Sequence, residues 1–121
     1  MARILLVDDD PTIREAYQIV LETNGYTVDA AEDGSQALKL AAANEPDLIL
    51  LDLIMPITTG LQFLQKYDLT KHRKVKVILF SNSHAEDDAK EALALGAHRY
   101  VLKSKYTPME AISLIQETLK G

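Results

Sequence analysis

Residues 48–60 read LILLDLIMPITTG, an apolar run that ends in a single acid and then breaks at proline and glycine. Four consecutive apolar residues before a turn are typical of a strand that is buried on both faces of a sheet. In open α/β sheets the chemistry lies at the carboxyl ends of the strands. Asp52 is therefore the first candidate site residue in this chain.

The same arrangement occurs at the start of the chain, where the apolar run from Ile4 to Val7 leads into Asp8, Asp9, Asp10 and Pro11. An aspartate before a proline predicts a helix start, with Asp10 as N-cap and Pro11 at the first helical position. Asp8 or Asp9 alone would be explained as the beginning of a turn. If the two strands are parallel neighbours, however, their acids converge, and a hard divalent cation or a raised pKa must relieve the crowding.

Composition limits the function classes. A chain of 121 residues with 47% hydrophobic and 26% charged residues fits one globular domain over 1–121. No apolar stretch approaches the roughly 20 residues of a membrane span and no signal-peptide layout is present, so we expect a cytoplasmic protein without a membrane partner. The net charge of -5 argues against direct nucleic-acid binding, and we expect the basic residues between Lys66 and Lys76 to form a solvated surface.

Strand-like and helix-like segments alternate along the chain. The strand-like runs are Ile4 to Val7, Thr27 to Ala31, Leu48 to Leu51, Val75 to Phe80 and Arg99 to Leu102. Helix ends are indicated by Asn24-Gly25 and Gly96, and helix starts by capping boxes at residues 83–86 and 107–110. Five such units predict an α/β fold with a doubly wound five-stranded parallel sheet in the order 2-1-3-4-5.

That strand order predicts which side chains meet. Strands one and three flank the switch point, so Asp8, Asp9 and Asp52 converge, while strands four and five bring Ser81 and Lys103 to the same edge. Asp9 and Asp52 can each give an oxygen to Mg²⁺. Asp52 could then attack a phosphorus atom and form an acyl phosphate, with Mg²⁺, Lys103 and the Ser81 hydroxyl neutralising charge.

The three histidines fall in loops or at helix starts and have no regular spacing relative to one another. We expect His72, His84 and His98 to be structural or solvent-facing.

The chain resembles a response-regulator receiver domain, the phosphoacceptor part of two-component signalling, over essentially its whole length. The resemblance rests on the following matching positions: Leu6-Val7-Asp8-Asp9, Asp52 with Met55-Pro56 and Gly60, Ser81, Gly96-Ala97, Tyr100 and Lys103. It implies a flavodoxin-like (βα)5 fold. It also implies a signalling domain that phosphorylates and dephosphorylates itself rather than a conventional enzyme.

The resemblance assigns a role to each matching residue. Asp52 would be the phosphorylation site, and Asp8, Asp9, Asp52 and the backbone carbonyl of Ile54 would hold Mg²⁺. Lys103 and Ser81 would contact the phosphoryl group, and Ser81 and Tyr100 would form the switch pair. The implied partners are a sensor histidine kinase or phosphotransfer protein and an output partner that the sequence does not identify.

Two positions depart from the family pattern. Serine follows Lys103 where the family commonly has proline after a cis bond, so this bond is expected to be either trans or strained. Asn82 is larger than the small residue often found after the switch hydroxyl, and we expect it to narrow access to the phosphoryl site.

Three other functions fit parts of the sequence. Asp8, Asp10 and Thr12 match the Asp-x-Asp-x-Thr pattern of haloacid-dehalogenase-like phosphohydrolases, with Asp8 as nucleophile and Asp10 as acid/base. Members of that class have a larger fold and need a further acidic pair after their lysine. The only acids after Lys103 are Glu110 and Glu117, and both lie in the helical pattern. A binding module that keeps the fold without phosphorylation is the second alternative. A flavin site is the third, although the first strand leads into acids and not into a phosphate-cradling loop.

Overall fold

The computed structural model describes residues 2–55, 58–81 and 86–120. Five parallel strands form one sheet in the order β2-β1-β3-β4-β5. The strands are β1 (Arg3–Val7), β2 (Thr27–Ala31), β3 (Leu48–Leu51), β4 (Lys76–Ser81) and β5 (Arg99–Leu102). The predicted strand order and parallel sheet are confirmed.

Five α-helices cover the two faces of the sheet. They are α1 (Pro11–Thr23), α2 (Gly34–Ala43), α3 (Gly60–Tyr67), α4 (Glu86–Ala94) and α5 (Pro108–Lys120). Alternate residues of the strands point to opposite faces, so Leu5 and Val7 join a core with α2, α3 and α4. Ile4 and Leu6 join a second core with α1 and α5, in which Ile112 and Ile115 of α5 are buried.

The sequence signals for helix ends are confirmed wherever the structure describes them. The Asp10 side chain accepts hydrogen bonds from the backbone N–H of Thr12 and Ile13, with Pro11 at the first helical position. Gly25 and Gly96 adopt φ angles of 91° and 114°, a region that favours glycine. Thr107 and Glu110 exchange the two bonds of a capping box. The capping box predicted at residues 83–86 begins outside the described residues. Pro56, Asn82 and His84 also lie outside them.

The register places the carboxyl ends of the strands side by side. Val7 pairs with Leu51, Leu51 with Leu79, and Ser81 with Leu102. β4 begins and ends one residue later than predicted, because Val75 donates its N–H to the His72 carbonyl and Lys76 is the first residue in the ladder. Ser81 is therefore the last residue of the strand rather than the first residue of a turn.

Gly60 sets the path of the chain after β3. A Cβ atom at this position would lie 2.3 Å from the Asp52 carbonyl oxygen and 2.8 Å from Leu53 Cα. Helix α3 therefore begins directly against the backbone that carries Asp52, and the Gly60 N–H donates to the Leu53 carbonyl at 3.0 Å. Any larger residue would push this loop away and move Asp52 with it.

Among residues 2–55, 58–81 and 86–120, no helix is both long and apolar enough to cross a membrane.

Candidate functional site

A buried lysine and two buried aspartates form the centre of the carboxyl edge of the sheet. Lys103 Nζ lies 2.5 Å from Asp8 Oδ2 and 3.0 Å from Asp52 Oδ2. No more than 6% of any of these three side chains is exposed. The predicted convergence of strands one, three and five on one site is therefore present in the structure.

The loop after β1 holds Asp8 through both its backbone and its side chain. Asp8 Oδ1 accepts the Asp10 N–H at 3.0 Å, and the Asp8 carbonyl accepts a bond from Arg14 Nη1 at 2.8 Å. The Asp8 N–H in turn donates to the Ala31 carbonyl. This carboxylate is consequently fixed before any ligand is bound.

Asp52 is held in a similar way at the end of β3. Its Oδ1 accepts the Ile54 N–H at 3.1 Å, and its own N–H donates to the Val7 carbonyl at 3.0 Å. Its second oxygen carries the ion pair with Lys103. The side chain of Ile54 is exposed, so it does not contribute to the core. This is compatible with a role for the Ile54 backbone in the site.

Asp9 differs from its neighbours because its side chain is exposed. One carboxylate oxygen from each of Asp8, Asp9 and Asp52 nevertheless lies within 4.8 Å of the other two. Three carboxylates thus cluster together, and one ammonium group pairs with two of them. Hard cations such as Mg²⁺ take oxygen ligands of this kind and keep waters in the remaining positions, so the donor set fits Mg²⁺.

Burial sets the protonation behaviour of the two central groups. Burial raises the pKa of Asp52 from 3.8 to about 6, with the Asp8 charge acting in the same direction and Lys103 acting against both. Burial on its own would lower the pKa of Lys103. Its hydrogen bond to Asp8 and the charges of Asp52 and Asp8 outweigh burial, so the net change is upward and the ammonium stays charged.

Ser81 and Tyr100 lie on neighbouring strands at the same edge. Ser81 is fully buried at the end of β4, opposite Leu102. Tyr100 is half-buried, pairs with Leu79 and packs against the core that α2, α3 and α4 share. Their assignment as a switch pair stays a prediction.

The segment after β5 has a shape that the sequence did not predict. Lys103–Lys105 form one turn of 3-10 helix before α5 begins. The peptide bond between Lys103 and Ser104 is trans, since the described residues contain no cis peptide bond. Of the two geometries left open by the missing proline, the unstrained one is therefore present, and Lys103 still reaches both aspartates.

Arg14 is the contributor that the sequence analysis missed. Its bond to the Asp8 carbonyl ties the first turn of α1 to the loop that carries the acids. A signal was available, because Arg14 is the only basic residue of α1 and lies one helical turn after the cap. The two histidines that the structure describes, His72 and His98, lie away from this edge, as expected.

Asp10 does not take the acid/base position that the phosphohydrolase alternative requires. Its carboxylate caps α1 and accepts hydrogen bonds from two backbone N–H groups. Together, a doubly wound parallel sheet and a buried Asp-Asp-Lys cluster at its switch point define a class of single-sheet α/β domains with a charged site at the carboxyl ends of the strands.

Comparison with known proteins identifies the family. The response regulator receiver domain model matches residues 4–116, and the chain belongs to this family. The response regulator GtcR of Aneurinibacillus migulanus is 34% identical over 117 residues, which are 97% of this chain and 47% of that protein. The nitrate/nitrite response regulator protein NarL of Escherichia coli is 36% identical, covering 99% of this chain and 56% of NarL. The chain thus spans about half the length of these relatives.

Solved structures agree with this assignment. A CheY-like receiver domain protein from Methanospirillum hungatei superimposes with a TM-score of 0.92 at 28% identity, over 99% of this chain and 94% of that one. The chemotaxis protein CheY4 of Vibrio cholerae gives a TM-score of 0.87, also at 28% identity, over 98% of both chains. The predicted flavodoxin-like receiver fold is confirmed.

The raised pKa of Asp52 makes a prediction about stability in the absence of metal. A carboxyl whose pKa is higher in the folded state contributes full stability below its unfolded value of 3.8 and loses it as the pH rises through about 6. Asp52→Asn removes this loss of stability, because asparagine does not ionise. In EDTA at pH 7.5 the variant should unfold at higher temperature and be more stable by on the order of 2 kcal/mol.

The advantage of Asp52→Asn should shrink toward zero as the pH falls to 4, when both proteins carry an uncharged group at this position. Asp10→Asn is the matched control because asparagine caps a helix as well as aspartate does. Thermal unfolding curves from pH 4 to 8 provide the measurement. An advantage that does not depend on pH would contradict the proposed cause.

Proposed function

We propose that this domain accepts a phosphoryl group on Asp52 from a phosphohistidine of a sensor histidine kinase or phosphotransfer protein, in a Mg²⁺-dependent reaction, and that phosphorylation changes its partner-binding surface. The observation that carries the proposal is the position of the Asp52 carboxylate. It is buried at the switch point, paired with Lys103, and within reach of two further acids. Membership of the receiver family supports it.

The chemistry requires one bond to form and one to break. A carboxylate oxygen of Asp52 attacks the phosphorus atom, the bond between phosphorus and the donor imidazole nitrogen breaks, and that nitrogen keeps the electron pair. The product is an acyl phosphate on Asp52. Lys103 Nζ lies 3.0 Å from Asp52 Oδ2 and would pair with the oxygens of the transferred group, which supports this step.

The acid cluster explains why a cation is needed. Asp8, Asp9 and Asp52 would repel an incoming phosphoryl group unless their charge were offset. Bound Mg²⁺ would be held by these carboxylates and would supply positive charge to the phosphoryl oxygens. Arg14 and the Asp10 N–H keep Asp8 oriented toward this position.

Phosphorylation itself can be tested directly. Incubation with acetyl phosphate and Mg²⁺ should add one phosphoryl group, detected by intact-protein mass spectrometry and removed by hydroxylamine, which cleaves acyl phosphates. Asp52→Asn should lose the adduct, because it removes the attacking oxygen. Asp10→Asn, which keeps the helix cap, should retain it.

The variants also separate the alternatives. An adduct that survives in Asp52→Asn and disappears in Asp8→Asn would overturn the proposal and favour a phosphohydrolase. Absence of any adduct in the parent protein, with acetyl phosphate and with phosphohistidine donors, would favour a binding module that does not become phosphorylated.

Magnesium binding should raise the melting temperature, because the acid cluster exists only in the folded protein. A ligand at one hundred times its Kd stabilises by about 2.7 kcal/mol. Asp9→Asn should leave the metal-free protein as stable or more stable, since Asp9 is exposed and removal of its charge relieves repulsion. The same variant should respond less to Mg²⁺.

Glu22→Gln is the control for this experiment, because it makes the same change in charge at an exposed position near the far end of α1. It should respond to Mg²⁺ as the parent does. A parent melting temperature that is unmoved by millimolar Mg²⁺, measured by calorimetry, would disprove the ion site.

The switch depends on Ser81 and Tyr100. A phosphoryl group on Asp52 brings acceptor oxygens that the Ser81 hydroxyl can bond, which would draw the end of β4 toward the site. Tyr100 on the adjacent strand would then turn inward and change the surface formed by α4, β5 and α5. The competing explanation is that Tyr100 is an ordinary half-buried strand aromatic.

Addition of Mg²⁺ with beryllofluoride, a phosphoryl mimic, should test the switch by backbone amide NMR. Shifts should be large at Ser81 and from Arg99 to Lys103, and they should weaken in Ser81→Ala. Ser113→Ala, an exposed serine on α5, serves as the control. Shifts that stay beside Asp52 alone would mean that the domain binds the mimic without switching.

A further inference from the structure

A cavity lies at the amino ends of β4 and β5, whereas Asp52 lies at the carboxyl ends of the strands. It has a volume of about 220 Å³ and opens between the segment leading into β4 and the turn that follows α4. Its polar lining comes from Thr70, His72, Arg73 and His98, while Leu69 and Leu95 form apolar walls. No part of the phosphoacceptor mechanism uses these residues.

The surroundings of this cavity carry positive charge on an otherwise acidic chain. The net charge of the protein is -5, yet residues 69–76 contain four lysines or arginines and no acid. The carboxylates recorded at lining residues are Asp68, which accepts from Thr70, and Glu45, which lies beside His72. Arg73 and Lys74 are exposed, and neither they nor Lys76 form an ion pair with any residue in the described part of the chain. An uncompensated basic group beside a cavity attracts anions.

The hydrogen bonds of the lining residues show which donors remain available. His98 Nδ1 accepts the Val77 N–H at 3.1 Å, so the neutral ring carries its proton on Nε2 and can donate there. Thr70 is occupied, because its hydroxyl donates to Asp68. His72 stacks on Tyr67 at 4.1 Å, and its Nδ1 lies 3.5 Å from Glu45. Arg73 and His98 are therefore the main donors.

We propose that this cavity binds a small phosphate-bearing anion, either inorganic phosphate or a phosphate monoester, through Arg73 and His98. The planar guanidinium group matches two phosphate oxygens at once, and the imidazole N–H supplies a third contact. A water molecule occupies about 30 Å³ of liquid, so the cavity has room for a phosphate group with a small organic part.

Histidine ring NMR offers a direct test. Inorganic phosphate is titrated into the protein without Mg²⁺, with sodium chloride adjusted to hold the ionic strength constant. Binding at Asp52 is disfavoured under these conditions, because without Mg²⁺ the three clustered carboxylates exceed the single Lys103 charge. The C–H signals of His98 and His72 should shift and saturate.

Two charge-matched variants distinguish a pocket from general attraction. Arg73→Gln should weaken phosphate binding by at least about tenfold, because it removes a bidentate contact and the loss of one charge-assisted hydrogen bond alone has that effect. Lys74→Gln makes the same change in charge at a neighbouring exposed residue outside the cavity and should change the affinity little. Both positions are exposed, and unchanged melting temperatures will show that the folds are intact.

Glycerol 3-phosphate in place of inorganic phosphate separates the two ligand sources. Tighter binding of the ester assigns the site to monoesters, whereas equal or weaker binding assigns it to phosphate itself. Equal losses of affinity in the two variants, or identical shifts with sodium chloride alone, would overturn the proposal. The same titration can be run in Asp52→Asn, which cannot be phosphorylated at this position. The result therefore does not depend on phosphorylation of Asp52.

Discussion

The ion pairs of Lys103 with Asp8 and Asp52 are the interaction on which the site depends. An isolated buried carboxylate is costly, and two of them beside each other are more so. The only ammonium that contacts both in the described residues comes from beyond β5. Neighbouring strands lie about 4.8 Å apart, so Lys103 must span roughly 10 Å of sheet edge to reach β3. A long flexible side chain can cross the end of β4 in this way, and a shorter one cannot.

This dependence links the strand order to the chemistry. Lys103 neutralises Asp8 and Asp52 only because β1 and β3 are adjacent and β4 alone separates β3 from β5. The small buried residue Ser81 ends that intervening strand. Gly60 contributes from the other side, because its close contact with the Asp52 carbonyl fixes where β3 stops. The sheet topology, one serine and one glycine therefore set the geometry of the charged cluster.

Much of this could be predicted from the sequence because the relevant patterns are short and local. Three strands have the predicted bounds, and the order of the strands predicted that Asp8, Asp52 and Lys103 would meet. The different burial of Asp8 and Asp9 could not be predicted, since it depends on a turn fixed by Arg14 and the Asp10 N–H. The 3-10 turn after β5 was missed for a similar reason, because Lys103–Lys105 carries no capping residue or glycine that would mark it.

Strand β4 runs between the two ends of the molecule at which anions are proposed to bind. Ser81 lies at its carboxyl end, and Val77, which exchanges two hydrogen bonds with His98, lies near its amino end. The strand is paired on both sides, and its residues from Val77 to Ser81 are buried. A signal could pass between the two ends only if the whole strand shifted, because close-packed interiors do not deform gradually. Such a shift would break ladder bonds to β3 and β5 together. The structure therefore favours independent binding at the two ends.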